Sequence, residues 1–229
     1  MATIAVIFGA SGGIGSALRD RYEARGGYDK VIALHRNSEP PLDLLDERKI
    51  QTCAEEIRET GDEVRLLFDA TGALTLGTTR PEKNLRELDP ETLARSFAIN
   101  AIGPALLMKH FLPLLPRKGR SVFATLSARV GSIGDNGLGG WYGYRASKAA
   151  LNQLVRTASV ELARRNPEAI CVALHPGTVK TRLTEDFAKT GLDVQEPAIA
   201  AKHLVEVLSE LTSAQTGGFF DQFGRQVPW

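Results

Sequence analysis

Short apolar runs recur along the chain, and segments with the periodicity of amphipathic helices separate most of them. This alternation predicts parallel strands joined by crossover helices, and therefore an α/β protein whose mainly parallel sheet is flanked by helices. The predicted strands are Ile4–Phe8, Lys30–Leu34, Val64–Phe68, Ser121–Leu126 and Ile170–Leu174, with a very short one at Pro41–Leu44 and a last one within Gly217–Asp221.

Capping signals and apolar periodicity predict four long helices. Two of them start at an aspartate that can accept hydrogen bonds from the first turn, at Asp46 and at Asp89, and Pro90 suits the first helical position. Gly61 is the stop signal of the first of these helices. The predicted helices run from Asp46 to about Thr60, from Pro90 onward, over about Tyr144–Arg165 and from Pro197 to about Leu211.

Length and composition favour one domain that acts on small molecules. The 229 residues are 43% hydrophobic, which fits a single domain over residues 1–229. The net charge is +1 without long blocks of one sign, so we expect neither nucleic acid nor a membrane as partner. The cysteines, Cys53 and Cys171, lie far apart, as do the four histidines, so we expect a reducing cytoplasm and no metal.

A glycine-rich turn, Gly9-Ala-Ser-Gly-Gly13-Ile-Gly15, follows the first predicted strand and precedes a helix. In that position, backbone N–H groups and a helix N-terminus can bind a pyrophosphate. The glycine spacing differs from the common G-x-G-x-x-G pattern, because three residues separate Gly9 from Gly13. The prediction of a dinucleotide site therefore depends on this context, and a purely structural turn is the alternative.

The end of the second predicted strand indicates which dinucleotide is bound. NAD-binding folds usually carry an acidic residue about 20 residues past the turn, for the ribose 2′-hydroxyl, whereas an arginine accommodates a 2′-phosphate. Here the sequence is Ala33-Leu34-His35-Arg36-Asn37, with no carboxylate. NADP(H) is therefore favoured over NAD(H), with Arg36 as phosphate ligand. The alternative is a solvated loop arginine.

Tyr144 and Lys148 are four residues apart at a predicted helix start, so both project from one face. A nearby ammonium favours the phenolate and lowers the pKa of tyrosine from about 10. Tyr144 can then donate a proton to a carbonyl that receives hydride, or remove one from an alcohol. Such pairs are common on protein surfaces, so the assignment depends on its companions.

The glycine pattern, Asn100, the Tyr144–Lys148 pair and Pro176-Gly177 occur in the order typical of short-chain dehydrogenases/reductases, which the chain resembles over essentially its whole length. Within that family it looks most like the C-factor and sniffer-type carbonyl reductases, judging from the segments Ser127–Ile133, Gly139–Tyr142 and Tyr144–Asn152.

The resemblance implies a doubly wound Rossmann-type domain, an NAD(P) cofactor, a carbonyl or alcohol substrate and a homodimer or homotetramer. It also implies a catalytic tetrad of Asn100, a serine, Tyr144 and Lys148. Thr181 would contact the nicotinamide carboxamide and Asp43 the adenine. Together with Arg36, the expected cofactor-binding residues are Gly9, Ser11, Gly13, Ile14, Gly15, Asp43, Gly72, Tyr144, Lys148, Pro176, Gly177, Val179 and Thr181.

The catalytic serine is ambiguous, because the family ends this strand with two adjacent serines and this chain has only Ser127 followed by Ala128. Alignment from the strand selects Ser127, whereas alignment from Gly131 and Ser132 puts Ala128 in the catalytic position. We choose Ser127, whose hydroxyl at a strand end can bond the substrate oxygen, and keep Ser132 as the alternative.

Two further features concern the same edge of the sheet. Where the family usually has Asn-Asn-Ala-Gly, this chain has Asp69-Ala-Thr-Gly72, and an ionised Asp69 can only accept hydrogen bonds. Pro104 lacks the N–H that would bond the Asn100 carbonyl, so that carbonyl is free to hold a water that connects Lys148 to solvent. An ordinary helix kink is the alternative.

These features predict an NADP-dependent oxidoreductase that exchanges hydride with a carbonyl or alcohol. A C-factor-like signalling or regulatory protein that binds NAD(P) with little turnover is the alternative. The segment from Arg182 to Glu196 is expected to form a lid over the substrate, with Leu183 and Phe187 as apolar contacts.

Overall fold

Six parallel strands form the centre of the protein, in a computed structural model that describes residues 1–181, 183–184 and 194–229. The strands of the described chain are β1 (Thr3–Phe8), β2 (Lys30–Leu34), β3 (Glu63–Asp69), β4 (Ser121–Leu126), β5 (Ala169–His175), β6 (Thr178–Val179), β7 (Val194–Gln195) and β8 (Phe219–Asp221). The sheet order is β2-β1-β3-β4-β5-β8, and β6 pairs with β7 in a separate parallel ladder.

Helices cover both faces of this sheet. They are α1 (Gly13–Arg25), α2 (Glu47–Glu59), α3 (Pro90–Phe97), α4 (Gly103–Phe111), α5 (Tyr142–Arg165) and α6 (Pro197–Glu210). A π-helical turn at Ala98–Ile102 joins α3 to α4. The α/β fold class that the sequence predicts, a mainly parallel doubly wound sheet between helices, is confirmed.

The hydrophobic core has two halves, because side chains of each strand alternate between the two faces of the sheet. On one face, Val6 and Phe8 of β1 pack with Leu107 and Phe111 of α4. On the other face, Ile7 packs in a cluster with residues of α1 and α6. Burial on both faces explains why the strands read as continuous apolar runs.

The predicted helix starts at Asp46 and Asp89 are confirmed. The Asp46 carboxylate accepts a hydrogen bond from the Arg48 N–H at 3.1 Å, and the Asp89 carboxylate accepts one from the Thr92 N–H at 2.7 Å. The long helix α5 begins two residues before the predicted Tyr144. Its preceding residue, Trp141, has φ 53°, in the left-handed region.

The very short strand predicted at Pro41–Leu44 is not formed, so that prediction is wrong. Pro40 and Pro41 have no N–H to donate to a neighbouring strand. Leu42 donates one backbone hydrogen bond, to the His35 carbonyl at 2.9 Å. The loop therefore leads directly into α2, which is the crossover between β2 and β3.

The helical stretch Pro90–Leu114 is long and apolar enough to span a membrane, judged by length and composition alone. Leu107 and Phe111 within it are fully buried, and the Phe111 ring packs edge-on against Phe8 at 4.6 Å between ring centroids. This packing against the sheet fits a helix of the protein core.

The strand order creates a switch point beside β1. The chain leaves β1 for β2 on one side and returns to β3 on the other, so the connections after these strands diverge. In open parallel sheets, ligands bind at such a point, outside the carboxyl ends of the strands. The ends of β1 and β3, at Phe8 and Asp69, therefore mark where a site is expected.

Candidate active site

The glycine-rich turn lies at the switch point, and close backbone packing explains two of its glycines. Gly9 has φ 74°, a left-handed conformation that favours glycine. Its N–H donates to the Leu34 carbonyl at 2.8 Å, which joins the turn to the end of β2. A Cβ at Gly15 would collide with the Gly9 carbonyl oxygen. The turn is thus held tightly against the start of α1.

The N-terminus of α1 is open to an anion. Gly12 provides no side-chain cap, the first turn has no acidic residue, and Ser11, Gly12 and Gly13 are exposed. Ile14, in the same turn, is half-buried. Uncapped N–H groups at the positive end of a helix dipole suit a phosphate. The residues present therefore fit the pyrophosphate of a dinucleotide.

The segment after β5 lies beside this turn. A Cβ at Gly13 would come 3.0 Å from the Thr181 Cγ2, so Thr181 packs against the start of α1. Gly177 has φ 77°, and the Gln195 amide donates to the Pro176 carbonyl at 2.6 Å. Val179 is buried, in the ladder of β6 with β7. Residues 176–181 are thereby fixed next to the glycine-rich turn.

Arg36 and Asp43 lie in neighbouring parts of one loop. The hydrogen bond between Leu42 and His35 brings the residues after β2 together with those before α2. Arg36 is exposed and has no hydrogen bond or ion pair with any residue that the structure describes. Asp43 accepts a hydrogen bond from the Leu45 N–H at 3.0 Å, and its second carboxylate oxygen lies 3.9 Å from the Lys49 Nζ.

Asp69 is a buried acceptor at the end of β3. Its carboxylate accepts hydrogen bonds from the Thr71 N–H at 2.9 Å, the Thr71 hydroxyl at 2.5 Å and the Thr125 hydroxyl at 2.6 Å. Burial raises the pKa of Asp69, and these hydrogen bonds oppose that rise. Asp69 therefore shapes the loop of residues 70–72 by accepting hydrogen bonds, as the sequence led us to expect.

Asn100, Gly72 and Lys148 meet at this loop. The Asn100 side chain exchanges two hydrogen bonds with the Ala73 backbone, at 2.9 Å and 2.8 Å. A Cβ at Gly72 would come 3.2 Å from both the Asn100 Oδ1 and the Lys148 Nζ. The Asn100 side chain is thus fixed against the loop that follows β3.

The backbone around Asn100 departs from an α-helix. Residues Ala98–Ile102 form a π-helical turn in which the Gly103 N–H donates to the Ala98 carbonyl. Pro104, the fourth residue after Asn100, has no N–H. π-Helical turns inside helices occur frequently at functional sites. The helix is therefore irregular where Pro104 removes a backbone donor.

Tyr144 and Lys148 are buried side by side on α5. The Lys148 Nζ lies 5.9 Å from the centre of the Tyr144 ring and donates to the Leu126 carbonyl at 2.9 Å. Burial raises the pKa of Tyr144, whereas the sequence led us to expect a lower value from the neighbouring ammonium. Burial also lowers the pKa of Lys148 to about 8, and Asp69 opposes that change. The phenol is therefore a neutral proton donor at neutral pH.

The two candidate serines have different partners. The Ser127 hydroxyl, at the end of β4, donates to the Asn152 Oδ1 at 2.6 Å. The Ser132 hydroxyl accepts from the Asp135 N–H at 3.1 Å and donates no hydrogen bond within the described chain. Both are buried, and Gly131 between them packs directly on the backbone of Lys148. Ser132 thus retains a free donor hydrogen.

Glu82 is a residue of this region that sequence reasoning missed. Its buried carboxylate accepts from the Gly143 N–H at 3.1 Å, at the N-terminus of α5 and one residue before Tyr144. Its backbone carbonyl accepts from the Trp141 N–H at 2.5 Å. A carboxylate there interacts favourably with the helix dipole. No local pattern could have linked Glu82 to α5, because 61 residues separate it from Gly143.

The predicted lid lies only partly within the described residues. Arg182 and Phe187 of the predicted lid lie outside the described residues, whereas Leu183 is half-buried. Within residues 1–181, 183–184 and 194–229, no group of three or more His, Cys, Asp and Glu side chains is arranged to hold a metal ion.

Comparison with known proteins identifies the family. The model of the short chain dehydrogenase family matches residues 3–191, and the chain therefore belongs to that family. The chain is 38% identical to the C-signal of Myxococcus xanthus over 147 residues, 63% of this chain and 83% of the relative. It is 30% identical to 1-hydroxy-2-glutathionyl-2-methyl-3-butene dehydrogenase of Rhodococcus sp. (strain AD45) over the full length of both.

Solved structures share this fold. The carbonyl reductase Sniffer of D. melanogaster superposes with a TM-score of 0.85 at 24% identity, covering 100% of both chains. A short-chain dehydrogenase/reductase of Burkholderia multivorans with bound NADP gives 0.80 at 26% identity, covering 99% of both. The resemblance stated from the sequence is confirmed, and the chain is an oxidoreductase of CH–OH or C=O groups.

The burial of Lys148 predicts a pH-dependent stability. The folded pKa of about 8 lies below the ordinary value of 10.5, so between these values the unfolded chain holds a proton that the folded chain has released. Between about pH 8 and pH 10, the free energy of unfolding of the wild type should therefore increase relative to that of Lys148→Met. The increase is up to ~1.4 kcal/mol per pH unit. Urea denaturation at a series of pH values measures this difference.

The exposed Lys109, which pairs with Glu47, is the control. Lys109→Met should follow the wild type across the same range, because an exposed ammonium is not desolvated. A constant difference between wild type and Lys148→Met from pH 7 to 10 would contradict the prediction.

Proposed function

We propose that the protein is an NADP-dependent oxidoreductase that interconverts a carbonyl compound and its alcohol, with Tyr144 as the acid and base. The observation that carries this proposal is the convergence of Gly72, Asn100, Lys148 and Tyr144 at the edge of the sheet where the glycine-rich turn lies. A cofactor bound along that turn and residues 176–181 would reach this edge.

The Tyr144 phenol acts as the proton donor in reduction. NADPH, when bound, supplies a hydride to the carbonyl carbon of the substrate. The phenol donates its proton to the carbonyl oxygen, so that one hydride and one proton give the alcohol; oxidation reverses both transfers. Lys148, charged at neutral pH, stabilises the phenolate that remains. It would also bind the nicotinamide ribose, as the family resemblance implies.

Reprotonation of Tyr144 requires a path from solvent. Lys148 donates to the Leu126 carbonyl and lies beside Asn100, whose side chain is held by Ala73. Pro104 provides no N–H for the Asn100 carbonyl, so we propose that this carbonyl holds a water between Lys148 and solvent. Asn100 thus belongs to the catalytic set through its backbone.

The substrate oxygen also needs a hydrogen-bond donor beside Tyr144. Ser127 already donates its hydroxyl hydrogen to Asn152, whereas Ser132 has a hydrogen to spare. We therefore place Ser132, the alternative in the sequence analysis, ahead of Ser127 for this role.

NADPH is the favoured form of the cofactor. The exposed guanidinium of Arg36 follows β2, where a 2′-phosphate is recognised in this type of fold, and no carboxylate stands at that strand end. The Burkholderia multivorans relative carries bound NADP. Asp43, on the same loop, is proposed to contact the adenine.

A regulatory protein that binds the dinucleotide with little turnover is the second candidate, because of the identity to the C-signal of Myxococcus xanthus. The intact arrangement of Tyr144, Lys148 and Asn100 favours the enzyme.

Cys53 and Cys171 are buried free thiols, and burial raises their pKa to about 11 and about 12. These unreactive thiols are consistent with the proposed cytoplasmic location.

Tyr144→Phe tests the proposed function. Because it removes the proton donor and little else, we expect kcat for NADPH-dependent reduction to fall at least ~100-fold. NADPH oxidation over a panel of aldehydes, ketones and quinones measures this. NADPH binding by the wild type without turnover of any compound would favour the regulatory protein.

The serine assignment is tested with two alanine variants. Ser132→Ala should lower kcat by ~10-fold or more, because the substrate oxygen loses a donor. Ser127→Ala should mainly lower the free energy of unfolding by ~1 kcal/mol, because a buried hydrogen bond to Asn152 is lost. Steady-state kinetics and urea denaturation separate the two effects. The opposite result would return the role to Ser127.

Arg36→Gln tests the cofactor preference. Loss of a charge-assisted contact to the 2′-phosphate should reduce kcat/KM for NADPH by ~10-fold or more and leave that for NADH nearly unchanged. The ratio of the two values in wild type and variant is the measurement. A wild type that prefers NADH would remove this role from Arg36.

A further inference from the structure

A second cavity lies at the opposite, amino edge of the sheet, away from the proposed active site. It is bounded by the C-terminal ends of α1 and α6 and by Leu66 of β3 and Val122 of β4, and its volume is about 170 Å³. Its floor is apolar, with Leu66 and Val122 paired across β3 and β4, and its wall includes Val205 of α6.

Two tyrosines, Tyr22 and Tyr28, line this cavity. Tyr22 is 5% exposed, and its ring meets that of Tyr28 edge-on at 5.7 Å between centroids. Neither hydroxyl makes a hydrogen bond with any residue in the described chain. Each hydroxyl is therefore free to donate to an acceptor that enters the cavity.

The charged groups at the cavity are positive. Arg25, at the end of α1, and Arg120, before β4, line it, and no acidic side chain of the described residues does. Arg120 is fixed in place because it donates to the carbonyls of Leu208 and Leu211 at the end of α6. Two guanidinium groups and two phenol donors together select an anion that accepts several hydrogen bonds.

The size and floor of the cavity restrict the rest of the ligand. A dry apolar cavity of about 150 Å³ is known to hold one benzene ring, so a similar volume has room for a single ring and little more. Inorganic anions alone would leave the apolar floor uncovered.

We propose that this cavity binds a small carboxylate carried on a single apolar ring. The ring lies on Leu66 and Val122, and the carboxylate accepts from the Tyr22 hydroxyl and faces Arg25. The site shares no residue with the proposed cofactor and catalytic positions, so the ligand and NADPH can bind together.

Isothermal titration calorimetry with benzoate tests the proposal, on the full chain with and without saturating NADPH. We expect saturable binding of benzoate in both conditions, and much weaker binding of uncharged benzamide and of inorganic phosphate. Tyr22→Phe should weaken benzoate binding ~10-fold, because one hydrogen bond to a charged group is lost. Arg25→Gln, at an exposed position, should weaken it several-fold.

Arg19→Gln is the matched control, since Arg19 lies on the same helix, pairs with Asp20 and does not line the cavity. It should bind benzoate as the wild type does. The proposal is overturned if benzoate does not bind saturably, if NADPH displaces it, or if Tyr22→Phe and Arg25→Gln both bind it unchanged.

Discussion

The position of β1 between β2 and β3 is the constraint on which the site depends. Parallel strands need crossover connections, and these leave β1 on one side for β2 and return on the other for β3. The chain after β1 and the chain after β3 therefore separate at the carboxyl edge of the sheet. The glycine-rich turn occupies the resulting space, and its Gly9 N–H is bonded to the end of β2.

Desolvation is the second organising effect at this edge. Asp69, Lys148 and Tyr144 are almost completely removed from water. Asp69 accepts from the Thr125 hydroxyl and Lys148 donates to the Leu126 carbonyl, both on β4. Burial lowers the pKa of Lys148 to about 8 and raises that of Tyr144. A neutral phenol beside a cation is suited to release a proton at the moment that an oxyanion forms on the substrate.

The same sheet separates two binding environments. At the carboxyl edge, uncapped N–H groups of α1 and the glycine turn suit phosphates. At the amino edge, the C-terminal end of α1 contributes Tyr22 and Arg25 to a cavity with an apolar floor. Helix α1 thus contributes to both environments, with its N-terminus at the phosphate site and its C-terminal end at the cavity.

Local patterns along the sequence determined the central strands, the capped starts of α2 and α3, the glycine-rich turn and the Tyr144–Lys148 spacing, because each depends on residues close in the chain. Tertiary structure decided what depends on distant residues. Glu82 holds the start of α5 across 61 residues, and Asn152 binds the Ser127 hydroxyl. Burial, which only the packed fold creates, also reversed the expected direction of the pKa of Tyr144.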